Sequence, residues 1–237
     1  MQSKFFPAVI VPIFIFSLIS GCTVGVNRIE QREIGDISAV SINTFGEFII
    51  KQGDEESLII EGPNNLLRNI ETEVVGNTLY INSKRGIING SLQKIVFTLT
   101  IRDINEIALS GAGSVNMDKL NTDHLEIILT GAGSIQINAL NTMELTVLLN
   151  SAGSIAISGI AQNQDVILSG VGSYNGGDLQ SRNTSVTLSG AGSAELQVSD
   201  TLNVNVSGVG SVAYYGSPSV NQNISGLGSV TPKGAHK

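Results

Sequence analysis

Apolar and polar residues alternate through the second half of the chain, and the alternation restarts at regular intervals. Leu109, Leu129, Leu149, Leu168, Leu188, Val206 and Ile224 each stand just before a polar, glycine-rich segment of five residues. Two residues earlier come Ile107, Ile127, Val147, Val166, Val186 and Val204, with Gln222 as the exception. Just after the segment come Val115, Ile135, Ile155, Tyr174, Ala194, Val212 and Val230, and two further on Met117, Ile137, Ile157, Gly176, Leu196, Tyr214 and Pro232. Period-two placement buries one face of a strand, so a strand is predicted to enter each segment and another to leave it. Leu120, Leu140, Ile160 and Leu179 recur at a third place and are expected to turn inward at a further corner.

The segments themselves read SGxGS. They are Ser110–Ser114, Thr130–Ser134, Asn150–Ser154, Ser169–Ser173, Ser189–Ser193, Ser207–Ser211 and Ser225–Ser229, with starts 18 to 20 residues apart. No repeat of this size buries its apolar face alone, but stacked repeats pile equivalent side chains into internal columns. The prediction is an all-β parallel β-helix, a solenoid of about seven SGxGS coils over residues 106–230. Right-handed winding is expected, as for other crossovers between parallel strands. At the usual strand spacing the rod is roughly 30–35 Å long. The glycines Gly111, Gly113, Gly131, Gly133, Gly170, Gly172, Gly190, Gly192, Gly208, Gly210, Gly226 and Gly228 are read as a structural turn motif that supplies unusual backbone angles. A phosphate cradle is disfavoured, because a strand pattern follows each copy and none carries Lys.

Residues 36–105 lack the motif but read as strands: Val40, Ile42, Phe48 and Ile50 alternate, as do Ile95, Phe97, Leu99 and Ile101. Asn64 to Asn69 has room for one helical turn. This part is expected to form a β-rich N-terminal cap that covers the first open edge of the solenoid. At the other end, Gln222 and Pro232 suit a terminal coil, and residues 231–237 are expected to fray.

The first 21 residues carry one charge, Lys4, followed by an apolar run from Phe5 to Ile19, the layout of an export signal. Ile19-Ser20-Gly21-Cys22 resembles the lipobox of bacterial lipoproteins. That resemblance implies cleavage between Gly21 and Cys22, acylation of Cys22 and a membrane anchor through the N-terminal lipid, with residues 22–35 as the lipidated Cys and tether. Thr23 rather than Asp after Cys22 implies, by resemblance to enterobacterial sorting, the outer membrane of a Gram-negative cell.

Composition narrows the function. The 237 residues hold 13 Lys+Arg against 20 Asp+Glu, a net charge of −7, which disfavours a nucleic-acid partner. Cys22 is the only cysteine, so an internal disulfide and a cysteine-based zinc site are excluded. No metal or other cofactor is implied.

The order Phe48-Ile-Ile-Lys-Gln-Gly53, Leu58-Ile-Ile-Glu-Gly62, Asn65-Leu-Leu67, Gly76-Asn-Thr-Leu79 and then serial SGxGS resembles a family of exported, autotransporter-adhesin-like bacterial proteins, the head GIN domain. The resemblance spans roughly residues 36–230 and implies a right-handed β-helix and an adhesive role.

Catalysis has little to draw on. Lys119 and Arg182 are the only basic residues of the repeat region. Glu106 and Glu126 occupy equivalent positions in adjacent coils, roughly 5 Å apart, but Thr146 interrupts their column before Asp165. The expectation is a non-catalytic, lipid-anchored envelope protein that contacts a glycan or a protein surface. Tyr215, Glu106 and Glu126 are its candidate contact residues. The alternatives are a periplasmic scaffold and a polysaccharide-active enzyme.

Overall fold

The computed structural model describes residues 27–84 and 94–236. The export signal 1–21, with Gly21, and the acylation site Cys22 lie outside the described residues.

The front of the chain forms β1 (Asn27–Arg32), β2 (Ala39–Asn43), β3 (Gly46–Gln52), β4 (Ser57–Pro63), the one-turn helix α1 (Asn64–Leu67), β5 (Ile70–Val75), β6 (Thr78–Ser83) and β7 (Val96–Ile101). The repeats form β8 (Glu106–Leu109), β9 (Gly113–Met117), β10 (Leu120–Asn121), β11 (His124–Leu129), β12 (Ser134–Leu149), β13 (Ser154–Leu168), β14 (Ser173–Leu188), β15 (Ser193–Val206), β16 (Ser211–Tyr215), β17 (Ser219–Ile224) and β18 (Ser229–Pro232). All pair into one wound sheet, a β-solenoid of about six turns.

The first face stacks β6, β2, β8, β11, the C-terminal halves of β12 to β15, and β17, all parallel. The second stacks β7, β3, β9, the N-terminal halves of β12 to β15, β16 and β18. The third carries β10 and the middle of each long strand. The alternating residues fill the interior: Ile107, Ile127, Val147, Val186, Val115, Ile135 and Ile155 are all buried. Tyr174 is buried as well, with Gly176 and Ala194 beside it as the small residues that make room. A Cβ on Gly176 would meet the Tyr174 ring at 2.8 Å.

The front third is wound into the same rod. Gly46 stacks on Gly113 and Phe48 on Val115, so Ala39–Gln52 is itself a solenoid coil with a degenerate corner at Thr44-Phe45-Gly46. The stacking runs across residue 105 without a break, so the front third is continuous with the solenoid. Below this coil lie β6 and β7, with Phe97 stacked on Phe48 at 4.3 Å between ring centres. The end is closed by antiparallel strands, β5 on β6 and β4 between β7 and β1. Leu66 and Leu67 of α1 are buried there.

Four local expectations are corrected. Within residues 22–35, expected as a tether, Asn27–Arg32 forms strand β1, paired with β4. The pentad glycines do not supply left-handed angles: among the described residues positive φ occurs at Gly46, Gly76, Gly159, Gly216 and Gly234. Their role is stacking distance. A Cβ on Gly111, Gly131, Gly170, Gly190, Gly208 or Gly226 would fall far inside van der Waals contact with a backbone oxygen of the coil below. Ile160 does not turn inward; it is 51% exposed. The repeat from Asn150 to Ser169 is one residue short, so Gly159 (φ 125°) takes the place of Leu140, and Ile160 falls beside Asn141. Finally, the tail is tied down as far as His236. Lys233 N–H donates to Tyr214 O at 2.8 Å and Gly216 N–H to Gly234 O at 2.9 Å, while His236 lies 3.2 Å from Asp178.

Candidate functional site

The third face is where the coils differ from one another. Register shifts fall between Ile137 and Leu140, Ala156 and Gly159, and Gly176 and Gln180. Along this face one outward column runs nearly the length of the rod. Asn121, Asn141, Ile160, Gln180, Gln197 and Tyr215 stand in register, one to a rung. Gln52 extends it downward: its amide donates to Asn121 O at 2.9 Å and accepts from Asn121 N–H at 3.0 Å. Asn141 Nδ2 donates to Asn121 Oδ1 at 3.3 Å, so the amides are held edge to edge.

Two grooves flank the column and share Ile160 and Gln162. One, of about 540 Å³, is lined by Gln52, Asp103, Asp123, Asn141 and Met143 among others. The other, of about 530 Å³, runs past Gln180, Ser181, Arg182, Gln197 and Ser199 to Gly216. Met143 is 52% exposed, so with Ile160 it forms an apolar step in an otherwise amide-rich trough. Lys119 and Arg102 line a further hollow at the Gln52 end. The two Lys/Arg residues of the repeat region thus lie along one face, Lys119 at the Gln52 end of the column and Arg182 beside Gln180, two rungs short of Tyr215.

Beneath the groove floor lies a buried polar chain. Tyr174 O–H donates to Gln164 Oε1 at 2.9 Å, Gln164 Nε2 donates to Ser181 Oγ at 2.9 Å, and Ser181 O–H donates to Gln197 O at 2.9 Å. Thr184 Oγ1 lies 2.7 Å from the same serine oxygen. Each side-chain polar atom of Tyr174, Gln164, Ser181 and Thr184 is thus partnered, which fixes Ser181 under the groove. Burial pushes the Tyr174 phenol well above its ordinary pKa.

Tyr215 is the last rung of the amide column, and the chain's own tail covers it. His236 packs edge-on at 4.7 Å and Lys233 Nζ lies 5.4 Å from the ring centre. Lys233 Nζ donates to Glu195 Oε1 at 2.9 Å. That bond, with a second from Tyr215, holds the Glu195 carboxyl below the usual range.

Glu106 and Glu126 are neighbours in register on the first face, followed by Thr146 and Asp165. Both are half-buried. The structure does not bring them to Tyr215, which lies at the other end of the rod on the third face. Sequence reasoning missed Met143, Gln162, Gln180 and Gln197. The available signal was the 19-residue spacing, which moves Ile160 out of the apolar column and into the amide one.

Residues 36–218 match the family model described as "Putative auto-transporter adhesin, head GIN domain". The chain belongs to the head GIN domain family. Its solved relatives share the fold. A "putative adhesin" from Bacteroides fragilis is 26% identical, with 88% of this chain and 96% of that one covered and a TM-score of 0.81. A "putative lipid binding protein" from Parabacteroides distasonis is 22% identical, covering 88% and 97%, with a TM-score of 0.73. A "putative adhesin" from Parabacteroides merdae is 20% identical over 88% and 97%, with a TM-score of 0.70. Among curated proteins none matches. Among the described residues no helix is long and apolar enough to cross a membrane.

Proposed function

We propose that this head GIN domain is a lipid-anchored, non-catalytic binding protein of the cell envelope whose third face takes an extended glycan. The observation that carries the reading is the column from Gln52 to Tyr215, interrupted by the exposed Ile160 and flanked by the exposed Met143. Planar amides offer paired donors and acceptors to sugar hydroxyls, and an apolar step suits the C–H face of a sugar ring. Their spacing, about 4.8 Å per rung, is comparable with the length of one sugar residue. Arg182, exposed at the groove wall, is placed to receive a carboxylate or sulfate substituent. One structural relative is described as lipid binding; here side chains fill the rod interior, so the proposed ligand lies on the outer face.

The test is a panel of neutral and acidic oligosaccharides titrated against the purified protein, with Gln180→Ala and Arg182→Ala beside it. Binding that weakens at least tenfold in both variants is expected. A panel that binds nowhere, or binds both variants unchanged, rejects the groove. Metabolic labelling with an alkyne-tagged fatty acid tests the anchor: label is expected on the wild type and none on Cys22→Ser.

A further inference from the structure

The two ends of the rod are built differently. At the front, the outer strands β1 and β5 carry Arg28, Glu30, Arg32, Glu71 and Glu73, charges that discourage another strand from pairing. At the far end β17 reads Ser-Val-Asn-Gln-Asn-Ile, with no charge and no proline, and all six residues are exposed. Within it Val220 is 37% exposed and Ile224 39%, and just beyond it Leu227 is 86% exposed. In a chain of net charge −7, residues 201–237 contain neither Asp nor Glu. Two copies of so acidic a molecule repel through most of their surfaces, but not through this end.

The free groups of β17 also have a definite phase. Ser225 N–H donates to Val206 O at 2.9 Å. The backbone groups of Asn221 and Asn223 therefore face β15, and those of Val220, Gln222 and Ile224 face outward. The same three residues continue the internal columns of Leu202, Val204 and Val206. An antiparallel copy of β17 satisfies both constraints in its centred register. Val220 then meets Ile224 of the second copy, Gln222 meets Gln222 of the second copy, and each pair exchanges both backbone hydrogen bonds. The arrangement is self-complementary, as a two-fold contact must be. Gln222, the polar exception in its apolar column, then pairs its amide with its own symmetry mate instead of ending the stack.

We propose that two copies of this chain join end to end through β17, with Gln222 on the two-fold axis. The anchor end of each copy points away from the contact, so the dimer links two surfaces rather than neighbours on one. That last step rests on lipid anchoring at Cys22; the dimer does not.

Native mass spectrometry of the full chain released from detergent micelles tests the dimer. The wild type is expected as a dimer, Gln222→Lys as a monomer with an unchanged far-ultraviolet circular dichroism spectrum, and Gln31→Lys, on the opposite edge at β1, as a dimer. A monomeric wild type, a wild type carrying a different chain in place of the second copy, a dimeric Gln222→Lys, or a monomeric Gln31→Lys overturns it. Small-angle scattering should show the maximum dimension about doubled, and a side-by-side dimer also overturns the proposal. Vesicles bearing the acylated chain should clump, and those bearing Gln222→Lys should not. Dispersed vesicles with an intact dimer would reject the anchored arrangement alone.

Discussion

The pentad corner and the third-face corner turn the same chain by opposite means. At the pentad, backbone rests on backbone: in six of the seven pentads a carbonyl of one coil occupies the space a side chain would need at the first glycine of the next, Ser151 being the exception. The sequence there is nearly constant because the distance between coils is. At the third face, side chains do the turning, and the coils gain or lose residues through bulges at Gly159 and around Gly176 to Gln180. One seam holds the stacking; the other is free to vary, and the grooves along it are the ones lined by varied side chains. The difference teaches that rigidity and recognition are carried by separate edges of one rod, so they can be broken separately.

The largest effect is expected where the backbone seam is wedged apart. Gly190→Ala places a methyl against Gly170 O and Ser169 O, neither of which can rotate away. Overpacking against backbone should cost roughly 3 kcal/mol, a drop of about 6–12 °C in melting temperature for a chain of this size. Gly35→Ala, which meets nothing within 4 Å, is the control and should leave the melting temperature unchanged. Equal melting of the two variants by circular dichroism would mean that the seam has slack.

A smaller effect is expected from the polar chain under the variable seam. Tyr174→Phe leaves Gln164 Oε1 buried without its donor, at a cost of about 1–2 kcal/mol. The phenol also makes stability depend on pH. Its pKa is raised in the folded state by burial, so the unfolded chain loses the proton first. The contribution is complete below the unfolded pKa of about 10 and is lost as pH rises above it. Urea unfolding between pH 8 and pH 11 should therefore show the wild type losing its advantage over Tyr174→Phe. A gap between the two that stays constant over this range would contradict the buried, protonated phenol.

The two seams also differ in how well the sequence discloses them. The pentads and their flanking alternation are legible because stacking repeats the same demand on every coil, so Leu109 and Leu188 answer it alike. The coil at Ala39–Gln52 was harder to see: Thr44 stands where later coils have the first glycine, and only the pairing of Gly46 with Gly113 reveals the corner. Ile160 misled for a related reason. Leu120, Leu140 and Leu179, which recur at the same place in other repeats, point inward, but a one-residue deletion flips a strand residue to the other side. The amide column drew no attention as a pattern because Asn121, Asn141, Gln180, Gln197 and Tyr215 share an address on the rod rather than a residue type. The pinned tail depends on Lys233, Glu195 and Tyr215, residues whose proximity needs the final coil to be in place.

The smallest effect on stability, and the sharpest test of the division between seams, is Ile160→Asn. Ile160 is 51% exposed, so little apolar burial is lost, and the change should stay within about 0.5 kcal/mol. The new amide sits in register with Asn141 on one side and Gln180 on the other, where the bond between Asn141 and Asn121 already shows that amides of adjacent rungs can join. The column would then be polar throughout, with Met143 as the remaining apolar contact. Oligosaccharide affinity should fall about tenfold, equivalent to about 1.4 kcal/mol, while the melting curve overlays that of the wild type. A variant that melts early but binds normally would reverse the assignment, making Ile160 part of the frame and removing the apolar step from the recognition surface.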